Sequence, residues 1–344
     1  MAFNHFLKVT VKNNDLRALL DLKRDVIERK IIDHIIYLKD VKKLSYWTIQ
    51  VHSSAILHFF SMNDVNNLNI KKTKRFLPED ESERYSRDRP YSIEEIEQIL
   101  EKCDVRSRVI ILLLASSGMR IGALYDLWIE DIKKMDEFGV YLIRPYNRSK
   151  AHSYYTFCTP ECAAAIDAYL DYRRKFGEEI KDKSPLIREQ FDIDDYPRAN
   201  SPRFLSTMMM TRAIADVLKR SGVNSIAVGN KRRDVMRTHG FRKFFITRCD
   251  MANVNFTVRE FLSGHKLPNL DSTYNHRHRN EEDMLAEYVK AIPYLTIDPT
   301  QRLQQENQEL KKASMDYLVE LGDLRQEFNE MKQMFVNLNR SNRW

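Results

Sequence analysis

The sequence predicts a mainly α protein with a small β-sheet (α+β), organised as a helical domain, a larger second domain and a helical tail. Three observations predict it. Glycine is absent before Gly118 and proline before Pro78, so the first part of the 344-residue chain carries almost no helix breakers. Apolar residues recur at helical spacing through most of the chain, whereas only FGVYLIRPYN and SYYTFC have the short apolar and aromatic character of strands. From Leu303 onward the period changes to seven, the repeat of a coiled coil.

Each element follows in order. Val26, Ile27, Ile31, Ile32, Ile35, Ile36 and Leu38 predict one helix, and a second opens at Ser45 with Ile49, Ile56, Phe59 and Phe60 on its apolar face. Together they predict a small helical domain over residues 1–70. Lys71–Pro90 is nearly all charged and has no apolar period, which predicts a linker. Fully stretched it reaches at most roughly 65–70 Å, enough to hold two domains on opposite sides of a bulky ligand. Ser92 and Glu95 form a capping-box pattern that starts the second domain, residues 91–298. The apolar run VIILLLA predicts a core helix, and further helices are expected over Pro160–Phe176, Ser206–Ser221, His239–Met251 and Thr257–Ser263. The two strands and the turn-like RSKAH between them predict a hairpin with Lys150 at its tip.

Residues 299–344 predict a coiled-coil tail. Leu303, Leu310, Tyr317, Leu324, Met331 and Leu338 are spaced by seven, and Asn307, Ser314, Leu321, Phe328 and Phe335 fill the alternate positions. That is about five heptads, or roughly 55 Å of helix. Asn307 in the seam suits a parallel dimer, Gly322 weakens the helix, and the alternative is a single helix folded back on the protein's own surface.

Bulk composition narrows the partner. A formal charge of +7 and a pI near 9.0 lean towards a polyanion. Cys103, Cys158, Cys162 and Cys249 are too few and scattered for a disulfide framework, and the CTPEC pair has no second pair to complete a metal site. The N-terminal stretch lacks the apolar core of a signal peptide and no run is long enough to span a bilayer, so a soluble, intracellular protein is expected.

Several side chains stand out by context. Arg120 follows an apolar helix and the break at Gly118, which puts a guanidinium at the start of the next helix; pairing with a carboxylate such as Asp126 is the ordinary alternative. KRRDVMRTHGFRKFFITR, Lys231 to Arg248, has seven Lys or Arg against one Asp. His239 and Arg242 share one helical face there, although a solvated basic face over buried Phe241, Phe244 and Phe245 accounts for such a run equally. In LSGHKLPNLDSTYNHR, His265 is followed nine residues later by Tyr274, a pairing that is weak alone among sixteen tyrosines.

Taken together, Arg120, Lys150, His239 with Arg242, His265 and Tyr274 occur in the order Arg, Lys, His-x-x-Arg, His, Tyr. That order resembles the tyrosine recombinases, the phage-integrase-type site-specific recombinases. GMRIGAL is similar to the family's first arginine box, THGFRKFF to its His-x-x-Arg box, and LSGHKLPNLDSTYNH to its closing box with the nucleophilic tyrosine. The first domain resembles the family's helical core-binding module, and the likeness covers about Asp15 to Tyr294. Ala123 stands where the family often has an acidic residue, and Lys243 where it often has His.

The resemblance implies an enzyme that cleaves and rejoins double-stranded DNA through a 3′-phosphotyrosyl intermediate at Tyr274, with no cofactor, metal or ATP. Arg120 and Arg242 would hold the non-bridging phosphate oxygens, Lys150 would protonate the leaving 5′-oxygen, His239 would assist proton transfer and His265 would bond the phosphate. It further implies self-association as a dimer or tetramer on DNA, a cytoplasmic place at the nucleoid, and the kind of gene carried by viruses and mobile elements. A type IB topoisomerase and a non-catalytic DNA-binding protein of the same fold are the alternatives. His239 argues against the first, where Lys is usual, and the intact residue set against the second.

Overall fold

The computed structural model describes residues 2–11, 15–65, 68–79, 88–191, 196–223, 227–228, 232–265 and 280–341. The chain divides into two compact units, residues 1–87 and 88–344.

The first unit is helical: α1 (Ala2–Thr10), α2 (Leu16–Leu20), α3 (Arg24–Ile36, wound wider over Tyr37–Val41), α4 (Tyr46–Met62) and α5 (Ile70–Lys74). Its core includes Ile27, Ile31, Ile35, Ile49, Ile56 and Phe60, read from the helical period of the sequence, together with Phe6 and Leu19, whereas Ile36 is exposed. Helix α5 lies where the linker was expected to begin. Asn69 N–H donates to Glu28 of α3 at 2.9 Å and Lys72 pairs with the same carboxylate at 3.5 Å, so this end of the charged stretch is packed.

The second unit begins with α6 (Ile93–Glu101), where Ser92 and Glu95 form the expected capping box. Helix α7 (Val105–Ser117) is the centre of the fold, with every residue from Val109 to Ala115 buried. A helix buried on all sides needs no polar face, which is why VIILLLA shows no amphipathic period. It stops at Gly118, whose φ of 64° only glycine adopts without strain, and a Cβ there would sit 2.2 Å from the Phe245 ring.

After α8 (Ile121–Leu124) and a 3₁₀ turn (Ile129–Asp131) comes an antiparallel sheet of β1 (Ile132–Met135), β2 (Val140–Ile143) and β3 (Thr156–Phe157). The sheet has one strand more than expected. Met135 pairs with Val140 in β1–β2, and Leu142 with Phe157 in β2–β3. Strand β2 is also shorter than FGVYLIRPYN, because Pro145 lacks an N–H and Tyr146 takes a φ of 53°. Lys150 therefore lies in a loop of residues 144–155, not at the tip of a tight hairpin.

The remaining elements are α9 (Pro160–Lys175), α10 (Tyr196–Ala199), α11 (Thr207–Ser221), the paired β4 (Ala227–Val228) and β5 (Arg232–Arg233), α12 (Arg237–Met251), α13 (Phe256–Leu262), α14 (Glu281–Val289), α15 (Ile292–Leu295) and α16 (Pro299–Ser341). The four expected helices agree with α9, α11, α12 and α13 to within two residues at either end. Helix α12 packs on α7 through Phe241, Phe244 and Phe245, all buried. Helix α14 is tied to α7 by the Tyr288 hydroxyl, which donates to Ser116 O at 2.8 Å. Among the described residues no helix is long and apolar enough to cross a membrane.

Candidate active site

Three chain segments meet at the end of α7, the first of them far along the chain from the other two. Gly118 reverses the chain and Arg120 stands at the N-terminus of α8 with an extended backbone. Helix α12 presents His239 and Arg242 one turn apart. Helix α13 ends in a left-handed Gly264 (φ 71°), where the Gly264 N–H donates to Phe261 O at 2.8 Å and the His265 N–H to Glu260 O at 3.0 Å.

The two arginines are fixed by main-chain oxygens. Arg242 Nη1 donates to Gly118 O and Ser263 O, both at 2.5 Å, and Arg120 Nη1 donates to Gly264 O at 3.0 Å. One arginine thus ties the end of α7 to the end of α13, and the other binds the next residue of the same turn. Neither forms an ion pair among the described residues, so the Arg120–Asp126 alternative is not realised. Arg242 is buried, 5% exposed, and its Nη2 has no hydrogen-bond partner among the described residues. Burial, followed by repulsion from Arg120, pushes the Arg242 guanidinium down to about 10. It stays charged at neutral pH, with an unused donor and no ion-pair partner among the described residues. A site in that state favours an anion.

Burial and the same two arginines hold His239 below its usual range, against a smaller opposing pull from Asp88. The imidazole is therefore neutral at pH 7 and able to accept a proton. His265 Nδ1 bonds the Glu260 carboxylate at 2.7 Å, with Ser263 Oγ at 3.3 Å. Burial alone would raise Glu260, but bonds from His265 and Arg259 outweigh it and hold the carboxyl below its ordinary range.

The loop of residues 144–155 sorts its cations. Arg144 pairs with Glu281 at 2.7 Å, and Arg148 pairs with Glu130 at 2.6 Å and Asp131 at 2.8 Å while its guanidinium lies 4.2 Å over Trp128. Lys150 is exposed and has no ion pair among the described residues. The loop reaches the site through Tyr154, whose ring packs so closely on Gly264 that a Cβ there would lie 2.6 Å away. Tyr154 is a wall of the site: burial pushes its phenol up, which disfavours the phenolate a nucleophile needs.

The structure thus gathers Arg120, His239, Arg242 and His265, and leaves Lys150 on the neighbouring loop. Tyr274 lies outside the described residues. Glu260 and Tyr154 were not expected from the sequence. Glu260 offered one signal, since a carboxylate five residues before His265 can reach it only if a Gly264 turn folds the chain back. Tyr154 offered none. Of the two departures from the family pattern, Ala123 is fully buried in the core, and Lys243 pairs with Asp88 at 2.7 Å.

A helical core flanked by a three-stranded sheet, with guanidinium and imidazole groups converging on one turn, defines a mainly helical domain with a site that favours an anion. Residues 91–281, more than half of the chain, match the family model described as the phage integrase family. The chain belongs to that family, the tyrosine recombinases. Among solved structures, the XerH site-specific recombinase bound to palindromic difH substrate, a post-cleavage complex, is similar at 16% identity over 83% of this chain and 76% of that one, with a TM-score of 0.54. The pre-cleavage complex of XerH with difH gives 16% identity, 89% and 76% coverage, and a TM-score of 0.51. The XerA recombinase gives 20% identity, 84% and 88% coverage, and a TM-score of 0.40. At these identities the likeness is one of fold. Comparison with curated protein sequences returns no match.

Proposed function

We propose that this tyrosine recombinase is a site-specific integrase that cleaves and rejoins double-stranded DNA through Tyr274, without metal or ATP. The observation that carries the reading is the arginine pair. Two guanidiniums share one turn, neither has an ion pair among the described residues, and the buried one keeps a donor unused. A scissile phosphate supplies what they lack, and their planar forks bind its non-bridging oxygens and stabilise the charge that grows on them. Tyr274 Oη attacks phosphorus, a 3′-phosphotyrosyl bond forms and the bond to the 5′-oxygen breaks. Neutral His239 takes the phenolic proton, Lys150 gives one to the departing 5′-oxygen, and His265 bonds the phosphate. A 5′-hydroxyl from another strand reverses the step and releases the tyrosine.

Lys150 is an exposed loop lysine without an ion pair among the described residues, and is free to offer its ammonium to the departing oxygen. The relatives crystallised on difH DNA support double-stranded DNA as the substrate, and strand exchange between two duplexes calls for more than one protomer. We assign residues 1–70 to a DNA-binding domain, 71–90 to a linker, 91–298 to the catalytic domain and 299–344 to the tail.

The test is covalent trapping. A pool of nicked duplexes of randomised sequence, whose cleavage releases a short strand, is expected to yield an SDS-resistant protein–DNA adduct. Tyr274→Phe is expected to abolish it and Tyr154→Phe to retain it. No adduct from any member of the pool, or one that survives Tyr274→Phe, overturns the reading.

A further inference from the structure

Helix α16, 43 residues long, begins with one anchored turn. Gln301 N–H donates to Asp298 Oδ1 at 2.9 Å and Arg302 N–H to Asp298 O at 3.0 Å. Beyond that turn the apolar side chains that the structure describes are uncovered. Leu310, Tyr317, Leu321, Leu324, Phe328 and Met331 each leave 56–68% of their surface exposed. A single helix does not maintain such a stripe in water without a partner, because helices of this kind owe most of their stability to packing of the apolar face.

The charges flanking the stripe say which partner. With Asn307 and Leu321 at the a positions and Leu310 and Leu324 at the d positions, the sequence places Glu306, Glu320 and Glu327 at g and Lys311, Arg325 and Lys332 at e. In a parallel pair, each g residue meets the e residue five further along the other chain. Those meetings are Glu306 with Lys311, Glu320 with Arg325 and Glu327 with Lys332, all of opposite charge. In an antiparallel pair g meets g and e meets e, which sets Glu against Glu and Lys or Arg against Lys or Arg. Asn307 adds a second criterion: an asparagine at one a position favours two parallel strands in a single register. Its side chain donates to Leu303 O at 3.1 Å, as it does when no second asparagine faces it. Gly322 falls at b, on the outer face, where it does not perforate the seam.

We infer that the tail docks a second copy of this chain as a parallel two-stranded coiled coil, and that the pair forms before DNA is bound. The inference is independent of the proposed cleavage chemistry. Two protomers joined in parallel by their tails carry their catalytic units at the same end of the coil, so a single binding event delivers two active sites. The e and g charges also restrict pairing to tails of the same pattern.

The test uses the full-length protein without DNA. Sedimentation equilibrium at micromolar concentration is expected to show a dimer. Glu320→Lys combined with Glu327→Lys is expected to weaken it about tenfold or more, and adding Arg325→Glu with Lys332→Glu to restore it. Ser314→Cys places a thiol at an a position facing its own copy only in the parallel arrangement. Under mild oxidation that variant is expected to form a disulfide-linked dimer while the wild type does not. A monomer or a species larger than a dimer, charge reversal without effect, or a thiol that does not cross-link overturns the inference. Because no DNA is present, none of these outcomes bears on the proposed reaction.

Discussion

The second unit contains two arginine clusters that the fold treats in opposite ways. Arg173 and Arg188 are almost wholly buried and share the Glu178 carboxylate, at 2.5 Å and 2.9 Å for Arg173 and 2.5 Å for Arg188. Backbone oxygens of Pro185, Leu186, Arg198 and Ala199 take further donors. Burial works against the Glu178 charge, but the two guanidiniums outweigh it and hold the carboxyl below its usual range. Arg120 and Arg242 also bond backbone oxygens, yet pair with no carboxylate among the described residues. The first cluster is complete in holding its own counter-ion, although Arg188 Nε is left without a partner, and the second has an anion still to bind. Residue type and main-chain anchoring are alike and Arg120 alone of the four is exposed, so the counter-ion is what separates buried Arg242 from Arg173 and Arg188.

The largest expected effect comes from unbalancing the complete cluster. Glu178→Ala leaves two buried guanidiniums facing each other and is expected to cost about 3–5 kcal/mol of stability. Chemical denaturation of the full chain measures it, and a cost below about 1 kcal/mol would mean the cluster is not the structural lock the geometry indicates. The reverse holds at the incomplete cluster. Arg120→Ala removes an exposed side chain with one bond to Gly264 O, so stability is expected to stay within about 0.5 kcal/mol of wild type. Adduct formation on a DNA site that the wild type cleaves is expected to fall about 10²–10³-fold, the range for losing one preorganised charge stabiliser. A variant that unfolds as readily as Glu178→Ala erases the distinction.

The first unit sharpens the comparison with a buried polar residue that needs no ligand. His34 is 3% exposed, both ring nitrogens lack hydrogen-bond partners among the described residues, and its ring is 5.4 Å from His5 and 6.5 Å from His52. Burial, then the neighbouring His5 and His52, pushes it down to about 4. An imidazole can discard its proton where a guanidinium cannot, so His34 is simply neutral. Above its ordinary value of 6.5 the ring is uncharged folded or unfolded and costs nothing. As pH falls from 6.5 towards about 4, only the unfolded chain takes the proton, and stability drops by up to about 3 kcal/mol. Hydrogen exchange over α3 and α4 is expected to show this slope, and His34→Leu to flatten it. An unchanged slope in the variant assigns the acid sensitivity elsewhere.

What the sequence made legible was local. Ser92 with Glu95, the buried run of α7, the shared face of His239 and Arg242, and the Gly264 turn all depend on residues within a few positions of one another. The missing pieces depend on contacts across the chain. Strand β1 has the sequence IKKM, with both lysines exposed, and is a strand because β2 offers it a ladder. The hairpin was expected to be tight because nothing nearby signals that Tyr154 must reach Gly264. The site followed the same division: residue types and order could be read, but the bond from Arg120 to Gly264 spans 144 positions and Arg242 to Gly118 spans 124. Only the fold shows that neither arginine pairs with a carboxylate among the described residues.

Glu260 tests the comparison most finely, because among the described residues it is the one carboxylate bonded to a candidate site residue. It forms no ion pair with Arg120 or Arg242; its partners are His265 and Arg259. With Nδ1 donating to Glu260, His265 has Nε2 left to face the phosphate, and the carboxylate fixes the ring in that orientation. Glu260→Gln keeps the shape and a hydrogen-bond acceptor but loses the charge. Adduct formation is expected to slow by about tenfold. Glu260 is in this sense a positioning residue acting through His265, and Glu260→Gln is expected to add little to the loss already caused by His265→Gln. A Glu260→Gln deficit undiminished in the His265→Gln background would reduce the carboxylate to a brace for the α13 turn.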